Sequence, residues 1–354
     1  MNKVLEYFSQ LNEEKIIDKN IKVIGWQFSY DYHLISSLTP YLFEKLNVIE
    51  NIAPQDNQNR DLRIRDKKYI TIHDTGDSLD SHTALFWSNT VYNQKLMDTL
   101  APYAASFQYV VGDDNIYHNI PDNEIAYHAG DSTKYDYKLY DTGVENEGKI
   151  KLSINNDGYF YINDKKTLIK APTKIIGGKE EICNTDDIND QGLLIVIKNG
   201  RYYMGEIYYN DTYGLIANRG GNNNSIGIES CINQGCNLYY IYQKTAKLVA
   251  KLLDENNLNI FVVKQHHYFS GKNCPQTIRT ANLWPHLLHL IEVETNFRKF
   301  EKEGYKIKLI VNDERVDNKG LIKSLGDKTP IKYSIETSFE NKIETMNFEK
   351  IIND

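Results

Sequence analysis

Cysteine is scarce in this sequence of 354 residues, and that scarcity limits what can hold the fold together. Only four cysteines occur, which are too few for a disulfide scaffold at this length. Cys231 and Cys236 are five residues apart, and this spacing does not fit a standard zinc finger. The fold must therefore depend on a hydrophobic core, for which 41% apolar and 25% charged residues are ordinary values.

The sequence also lacks long apolar runs and a basic stretch. No apolar run approaches the roughly 18 residues of a spanning helix, so we expect no membrane span. The net charge is −7, which argues against nucleic acid as a partner. The N-terminal sequence MNKVLEYFSQLNEEKIIDK lacks the apolar segment of a secretory signal. We therefore expect synthesis in the cytoplasm, unless a signal precedes this sequence.

Changes in composition and in the pattern of apolar residues along the sequence predict the domain organisation. Residues 1–60 resemble an N-terminal extension, and residues 61–295 have the alternating strand and helix patterns of an α/β domain. Residues 132–213 interrupt this domain with short β-like runs and Asn, Asp and Gly turns, so we predict an inserted β subdomain. Residues 296–354 contain alternating apolar residues that predict a small C-terminal β module.

Local patterns predict individual elements within these regions. Val4, Phe8 and Leu11 have helical spacing, and Asn199-Gly200 between two strand-like runs predicts a hairpin. Further helices are predicted over residues 38–46, 81–100, 243–256 and 283–293. Strands are predicted over residues 21–30, 67–73, 106–112, 115–121, 225–229 and 261–264.

Three segments far apart in the sequence each end in reactive side chains. The apolar run Ile-Thr-Ile leads to His73, and the run Ile-Gly-Ile leads to Glu229. The third segment, HHYFSGKNCP, places His266 eight residues before Cys274 and Lys272 two residues before it. Each feature alone is more often structural, but the three together indicate a site.

These side chains suit a catalytic zinc site. Zinc takes about four ligands, and a catalytic site leaves one position to water, so the protein supplies three. His73, His266 and Cys274 make such a set. A carboxylate beside the metal can accept a proton from water, and an ammonium group can stabilise an oxyanion.

Six sequence blocks, in the same order, give the chain a family resemblance. It resembles the zinc-dependent N-acetylmuramoyl-L-alanine amidases of the type shared by phage endolysins, bacterial autolysins and peptidoglycan recognition proteins. The resemblance covers residues 67–131 and about 214–292. The blocks are ITIHDTG (70–76), SFQYVVGDD (106–114), IAYHAGD (125–131), GGNNNSIGIES (220–230), KTAKLVAKLL (244–253) and QHHYFSGKNCP (265–275).

The resemblance implies one Zn²⁺ per chain and a role for each matching residue. It implies that the zinc ligands are His73, Cys274 and His266 rather than His267. The glutamate of the SIGIE block, Glu229, corresponds to the family's catalytic carboxylate.

Two further matches and one departure complete the implied site. Lys272 corresponds to the residue that stabilises the oxyanion, and His128 to a histidine that lines the substrate cleft in many relatives. Some relatives have a catalytic tyrosine where this chain has Phe107, and those relatives usually lack the glutamate. The presence of Glu229 and the absence of this tyrosine therefore favour Glu229 as the general base.

The resemblance also implies the fold, the reaction and the partner. We expect an α/β fold with a central mixed β-sheet flanked by helices, an inserted β subdomain and a small C-terminal β module. The implied reaction is hydrolysis of the amide between N-acetylmuramic acid and L-alanine in bacterial peptidoglycan, so the protein would act on the cell wall. Non-catalytic peptidoglycan binding and a zinc amidase for another amide are the alternatives. Endolysin and autolysin roles both remain open, as does the oligomeric state.

Overall fold

The computed structural model describes most of the chain. Among the residues it describes, no helix is both long and apolar enough to cross a membrane. The described residues are 2–11, 16–24, 29–37, 44–57, 60, 62–77, 79–93, 105–129, 139–147, 151–176, 179–185, 195–204, 221–270, 272–317 and 322–352.

The N-terminal region contains one helix and three strands. The predicted first helix is confirmed, and it buries Val4, Leu5, Phe8 and Leu11. The strand predicted over residues 21–30 is confirmed over residues 21–24, and it begins earlier because polar residues 18–20 pair with the second strand. Residues 25–28 lie outside the described residues, and residues 29–30 belong to the second strand. Residues 38–43 of a predicted helix lie outside the described residues, and residues 44–46 are not helical. The elements are α1 (Lys3–Leu11), β1 (Ile17–Ile24), β2 (Ser29–Ser36) and β3 (Val48–Glu50).

The next region resumes with alternating strands and a helix. The strands predicted over 67–73, 106–112 and 115–121 are confirmed, with shorter bounds for the latter two. The helix predicted over 81–100 is confirmed as far as Tyr92, and residues 94–100 lie outside the described part of the chain. The elements are β4 (Tyr69–Asp74), α2 (Ala84–Tyr92), β5 (Tyr109–Val111) and β6 (Ile116–His118).

The insert forms small antiparallel sheets of its own. The predicted hairpin at Asn199-Gly200 is confirmed, and both residues have positive φ (51° and 75°), which suits Asn-Gly in a two-residue turn. The insert also buries its own apolar clusters, one around Phe160 and Met204. Its described strands are β7 (Tyr140–Glu145), β8 (Leu152–Ile154), β9 (Tyr159–Ile162), β10 (Lys165–Lys170), β11 (Thr173–Ile176), β12 (Lys179–Ile182), β13 (Ile195–Lys198) and β14 (Arg201–Met204).

The region after the insert is mainly helical. Its first long helix begins five residues earlier than predicted, because the Asn237 side chain accepts a hydrogen bond from the backbone N–H of Tyr240 and caps it. The strand predicted over 261–264 is shifted, since Ile260–Val262 form a 3₁₀ turn. The last helix continues nine residues beyond the predicted end. The elements are α3 (Gly221–Asn224), β15 (Ser225–Ser230), α4 (Leu238–Glu255), β16 (Val263–Gln265), α5 (His266–Ser270), α6 (Gln276–Thr280) and α7 (Trp284–Lys302).

The C-terminal residues form a three-stranded antiparallel sheet. Its strands are β17 (Lys306–Val311), β18 (Ile331–Phe339) and β19 (Lys342–Lys350), in the order β17-β18-β19. One apolar cluster joins this sheet to α1 and α7, with Phe8, Phe297 and Tyr333 among its buried members. The two ends of the chain therefore pack together.

A six-stranded mixed sheet forms the centre of the protein, in the order β16-β4-β15-β5-β6-β3. Strands β16, β4, β15 and β5 run parallel, while β6 is antiparallel to β5. Adjacent residues Tyr109 and Val110 of β5 join different apolar clusters, one containing α4 and α7 and the other α2. Helices therefore cover both faces, and the predicted fold class is confirmed.

The placement of β3 bears on the predicted domain boundaries. This strand lies within residues 1–60, yet it forms the edge of the central sheet by pairing with β6. Residue 296, the predicted start of the C-terminal module, lies inside α7. The boundaries stay predictions, and both junctions are tied to the main domain by packing or hydrogen bonds.

Candidate metal centre

His73 is placed by a buried parallel strand. The alternation of β4 directs Ile70 and Ile72 into the main apolar cluster, and places Thr71 and His73 on the opposite face. His73 is 1% exposed. It lies at the carboxyl end of β4, where ligand sites in parallel sheets commonly form because loops leave the sheet there.

His266 and Cys274 reach the same point from the neighbouring edge strand. His266 follows β16 directly, and Cys274 lies in the loop that ends at α6. The ligand atoms of His73, His266 and Cys274 lie within 4.8 Å of one another, and all three side chains are buried. The structure thus brings together the three residues predicted as ligands, while His267 is not part of this group.

The donor atoms of this cluster fit a soft divalent metal. The Nδ1 atom of His266 is buried and has no hydrogen-bond partner among the described residues. Burial lowers the pKa of both His73 and His266, which keeps the imidazoles neutral, the form that binds metal. Burial raises the pKa of the Cys274 thiol, a preference that a bound cation reverses. Two imidazoles and a thiolate suit zinc.

Glu229 lies beside the cluster because β15 is the parallel neighbour of β4. Its register partner is His73, and its Oε1 atom lies 3.7 Å from His73 Nδ1. Its Oε2 atom is buried without a hydrogen-bond partner among the described residues. Burial raises the pKa of Glu229 to about 8, and the positive charge of Lys272 opposes this shift. The carboxyl group thus lies next to the candidate ligands, with its Oε2 atom unbonded among the described residues.

His128 contacts the cluster through the ring of His73. It is 7% exposed, and its Nδ1 atom lies 2.9 Å from His73 Nε2. Burial lowers the pKa of His128 to about 3, assisted by the charge of Lys67 and opposed by a hydrogen bond to the backbone of Ser225. Its predicted role in substrate binding stays a prediction, since the structure places it against a candidate ligand.

Asp74 is a site residue that the sequence analysis missed. Its Oδ1 accepts the backbone N–H of Gln276 (2.9 Å) and its Oδ2 that of Thr277 (2.7 Å). These N–H groups open α6, directly after Cys274 and Pro275. Asp74 therefore ties the strand that carries His73 to the loop that carries Cys274. Its position beside His73 in the HDTG block was the available signal.

Replacing Asp74 with alanine is expected to loosen the Cys274 loop. A hydrogen bond to a charged group contributes about 1.5–3 kcal/mol, so exchange of the Gln276 and Thr277 amides should accelerate roughly 10-fold or more. Hydrogen–deuterium exchange of the metal-free protein measures this directly, and thiol labelling at Cys274 should become faster in parallel. Asp77→Ala is the control, because Asp77 binds Leu79 and His82 instead. Equal exchange in the two variants would contradict the anchoring role.

Comparison with known proteins identifies the family that this fold and site define. Residues 63–277, more than half of the chain, match the N-acetylmuramoyl-L-alanine amidase family Amidase_2. The chain belongs to this family, which confirms the resemblance found in the sequence.

The individual relatives give weaker matches, either over a small part of their length or at low sequence identity. The N-acetylmuramoyl-L-alanine amidase CwlA of Bacillus subtilis strain 168 is 37% identical over 76 residues, which is 21% of this chain and 28% of that protein. The chain thus matches well under two thirds of that relative. The catalytic domain of XlyA has a TM-score of 0.41 and 20% identity, with coverage of 70% of this chain and 99% of that structure. The Staphylococcus aureus hydrolase AmiA, in complex with its ligand, has a TM-score of 0.38 and 11% identity, with 79% and 98% coverage.

Proposed function

We propose that the protein hydrolyses the amide bond between N-acetylmuramic acid and the L-alanine of the peptidoglycan stem peptide. Membership of the amidase family supports this reaction class. The observation that carries it to this chain is the buried cluster of His73, His266 and Cys274 with Glu229 beside it. A site of this composition is suited to acyl chemistry at a carbonyl.

We propose that the cluster holds one zinc ion per chain. His73, His266 and Cys274 would be the protein ligands, leaving a position for water or substrate. Bound zinc supplies Lewis-acid polarisation of the carbonyl and lowers the pKa of water towards about 7. The unpartnered Nδ1 atom of His266 supports this assignment, since a buried polar atom otherwise carries a desolvation cost.

Glu229 would transfer the proton, and Lys272 would stabilise the negative charge that develops on the substrate. Glu229 is the candidate general base: its buried carboxylate takes a proton from the attacking water and returns it to the leaving amide nitrogen. A carboxyl group can serve in both steps, because it can first accept and then release the proton. The Lys272 ammonium lies close enough to Glu229 to influence its charge, and would stabilise the oxyanion of the tetrahedral intermediate.

We propose bacterial peptidoglycan as the partner and the cell wall as the place of action, after synthesis in the cytoplasm. A non-catalytic binding module is the competing function. Such a module has no use for a buried carboxyl group beside three metal-ligating side chains, whereas hydrolysis can use this group as the general base.

Digestion of purified peptidoglycan is expected to release new L-alanine amino groups and glycan strands free of peptide. Glycosidases need two carboxylates placed across the sugar. At this site Asp74 is engaged by the backbone N–H groups of Gln276 and Thr277, and of the two carboxyl groups only Glu229 has an oxygen without a hydrogen-bond partner among the described residues. Mass spectrometry of the digest should therefore show intact stem peptides that begin with L-alanine.

The control reaction uses Glu229→Gln protein at the same concentration, which excludes a contaminating hydrolase. Appearance of reducing sugar ends in place of alanine amino groups would overturn the amidase assignment. Binding to peptidoglycan without any released product, by zinc-loaded protein, would favour the recognition module.

A further inference from the structure

A chain of buried hydrogen bonds runs from His73 to a backbone carbonyl. His73 Nε2 lies 2.9 Å from His128 Nδ1, and His128 Nε2 lies 3.4 Å from the Ser225 hydroxyl. The Ser225 hydroxyl donates to the carbonyl oxygen of Gly221 (2.6 Å) and accepts from the Thr71 hydroxyl (2.7 Å). These contacts join β4, the IAYHAGD block and the start of β15.

The Gly221 carbonyl, at the end of this series of hydrogen bonds, determines where each proton lies. A carbonyl only accepts, so the single hydroxyl proton of Ser225 is used towards Gly221. The next contact therefore requires His128 to donate from Nε2, which leaves its Nδ1 as an acceptor in the neutral ring. His73 must then carry its proton on Nε2. Its Nδ1 is left with a lone pair, and this atom faces Cys274 Sγ at 3.8 Å.

The ring of His128 is itself held in place by its surroundings. The Asn222 side-chain oxygen accepts the backbone N–H groups of His128 (2.9 Å) and Ala129 (2.7 Å). A Cβ atom on Gly227 would lie 2.6 Å from the His128 ring, so the glycine of the SIGIE block makes room for this ring. The rings of His128 and His73 meet edge to face, with centroids 5.0 Å apart.

We propose that His128 is a positioning residue that fixes the tautomer and orientation of His73. It acts through His73 and, at 7% exposure, has little surface to offer a substrate. Ser225, Asn222 and Gly227 hold His128 in the orientation that this requires. The proposal rests on the proposed function only in giving His73 a metal to bind.

Two variants of His128 separate positioning from simple packing. In His128→Asn the side-chain oxygen can replace the accepting Nδ1, whereas in His128→Gln the amide reaches the Nε2 position and the acceptor near His73 is lost. Partners of this kind typically contribute 10–100-fold to metal affinity. We expect zinc affinity, measured by chelator competition, to fall about 10–100-fold in His128→Gln, and His128→Asn to recover most of it.

The second readout needs no metal. In metal-free protein labelled with ¹⁵N-histidine, the ring nitrogen shifts of His73 should report the Nε2–H tautomer in the wild type and in His128→Asn. In His128→Gln they should report a mixture of tautomers. His73→Gln identifies the resonances of His73.

The outcomes distinguish this proposal from the proposed function. Protonation of His73 on Nδ1 in the metal-free wild type, or equal effects of the two His128 variants on tautomer and affinity, would overturn the positioning role. Absence of zinc binding in the wild type would overturn the proposed metal centre, while the tautomer measurement would still decide the role of His128.

Discussion

Cys274→Ser is expected to lose zinc and hydrolytic activity together. The thiolate is one of three proposed protein ligands, and a serine hydroxyl at the same position stays protonated and binds zinc weakly. Removing a direct ligand should cost more than the 10–100-fold in metal affinity that outer partners contribute. Zinc content after dialysis against a chelator, with activity on peptidoglycan measured in parallel, tests this expectation.

The matched control is Cys183→Ser, because Cys183 is also buried but lies in the core of the insert. This variant should retain zinc and activity. Circular dichroism spectra that match those of the wild type would exclude general unfolding of the Cys274 variant. Full activity of Cys274→Ser protein shown to contain no metal would refute the zinc mechanism.

Glu229→Gln is expected to keep zinc and the fold while losing about 10²–10⁴-fold in rate, the usual contribution of a general base. Glutamine has nearly the same shape but cannot accept the proton. The melting temperature should not fall, because Glu229 Oε2 has no hydrogen-bond partner among the described residues, and burying a polar atom without a hydrogen bond is costly. Steady-state kinetics, corrected for zinc content, measure the loss.

Two companion variants sharpen this second expectation. Lys272→Ala should cost about 10²–10³-fold, as removal of an oxyanion donor does. Glu255→Gln removes the same charge from an exposed ion pair with Lys251 and should leave the rate unchanged. If zinc-loaded Glu229→Gln kept a rate close to that of the wild type, another group would have to be the base.

The two expectations divide the site into metal binding and proton transfer. Loss of zinc with loss of activity marks a ligand, while loss of activity with zinc retained marks a group that acts on the substrate. Cys274 Sγ and Glu229 Oε1 lie 3.8 and 3.7 Å from the same atom, His73 Nδ1. The measurements therefore distinguish a metal ligand from a proton acceptor although both residues lie beside His73.

Some errors of the sequence analysis arise where local pattern competes with tertiary pairing. Residues 18–20 are polar and suggest a break, yet cross-strand bonds to β2 keep them extended. The start of α4 is capped by Asn237, and its first turns bury Leu238 and Ile241, which the sequence analysis left outside the helix. The extended state of residues 18–20 is weakly signalled in the sequence because it depends on cross-strand hydrogen bonds.

The sequence by itself determined the central strands and the main site. The apolar runs of β4 and β15 predict buried strands, and parallel pairing then brings His73 and Glu229 into register. The segment HHYFSGKNCP supplied His266 and Cys274 as candidate ligands, and the family resemblance implied the choice of His266 over His267.

Tertiary structure alone decided the contacts that join distant segments. The placement of His128 behind His73, the hold of Asp74 on α6, and the addition of β3 to the central sheet all depend on hydrogen bonds across the fold. Neither the periodicity of apolar residues nor the spacing of motifs predicts such bonds, because each partner alone is an ordinary polar or strand residue in the sequence. They become visible only when the core brings the two segments together.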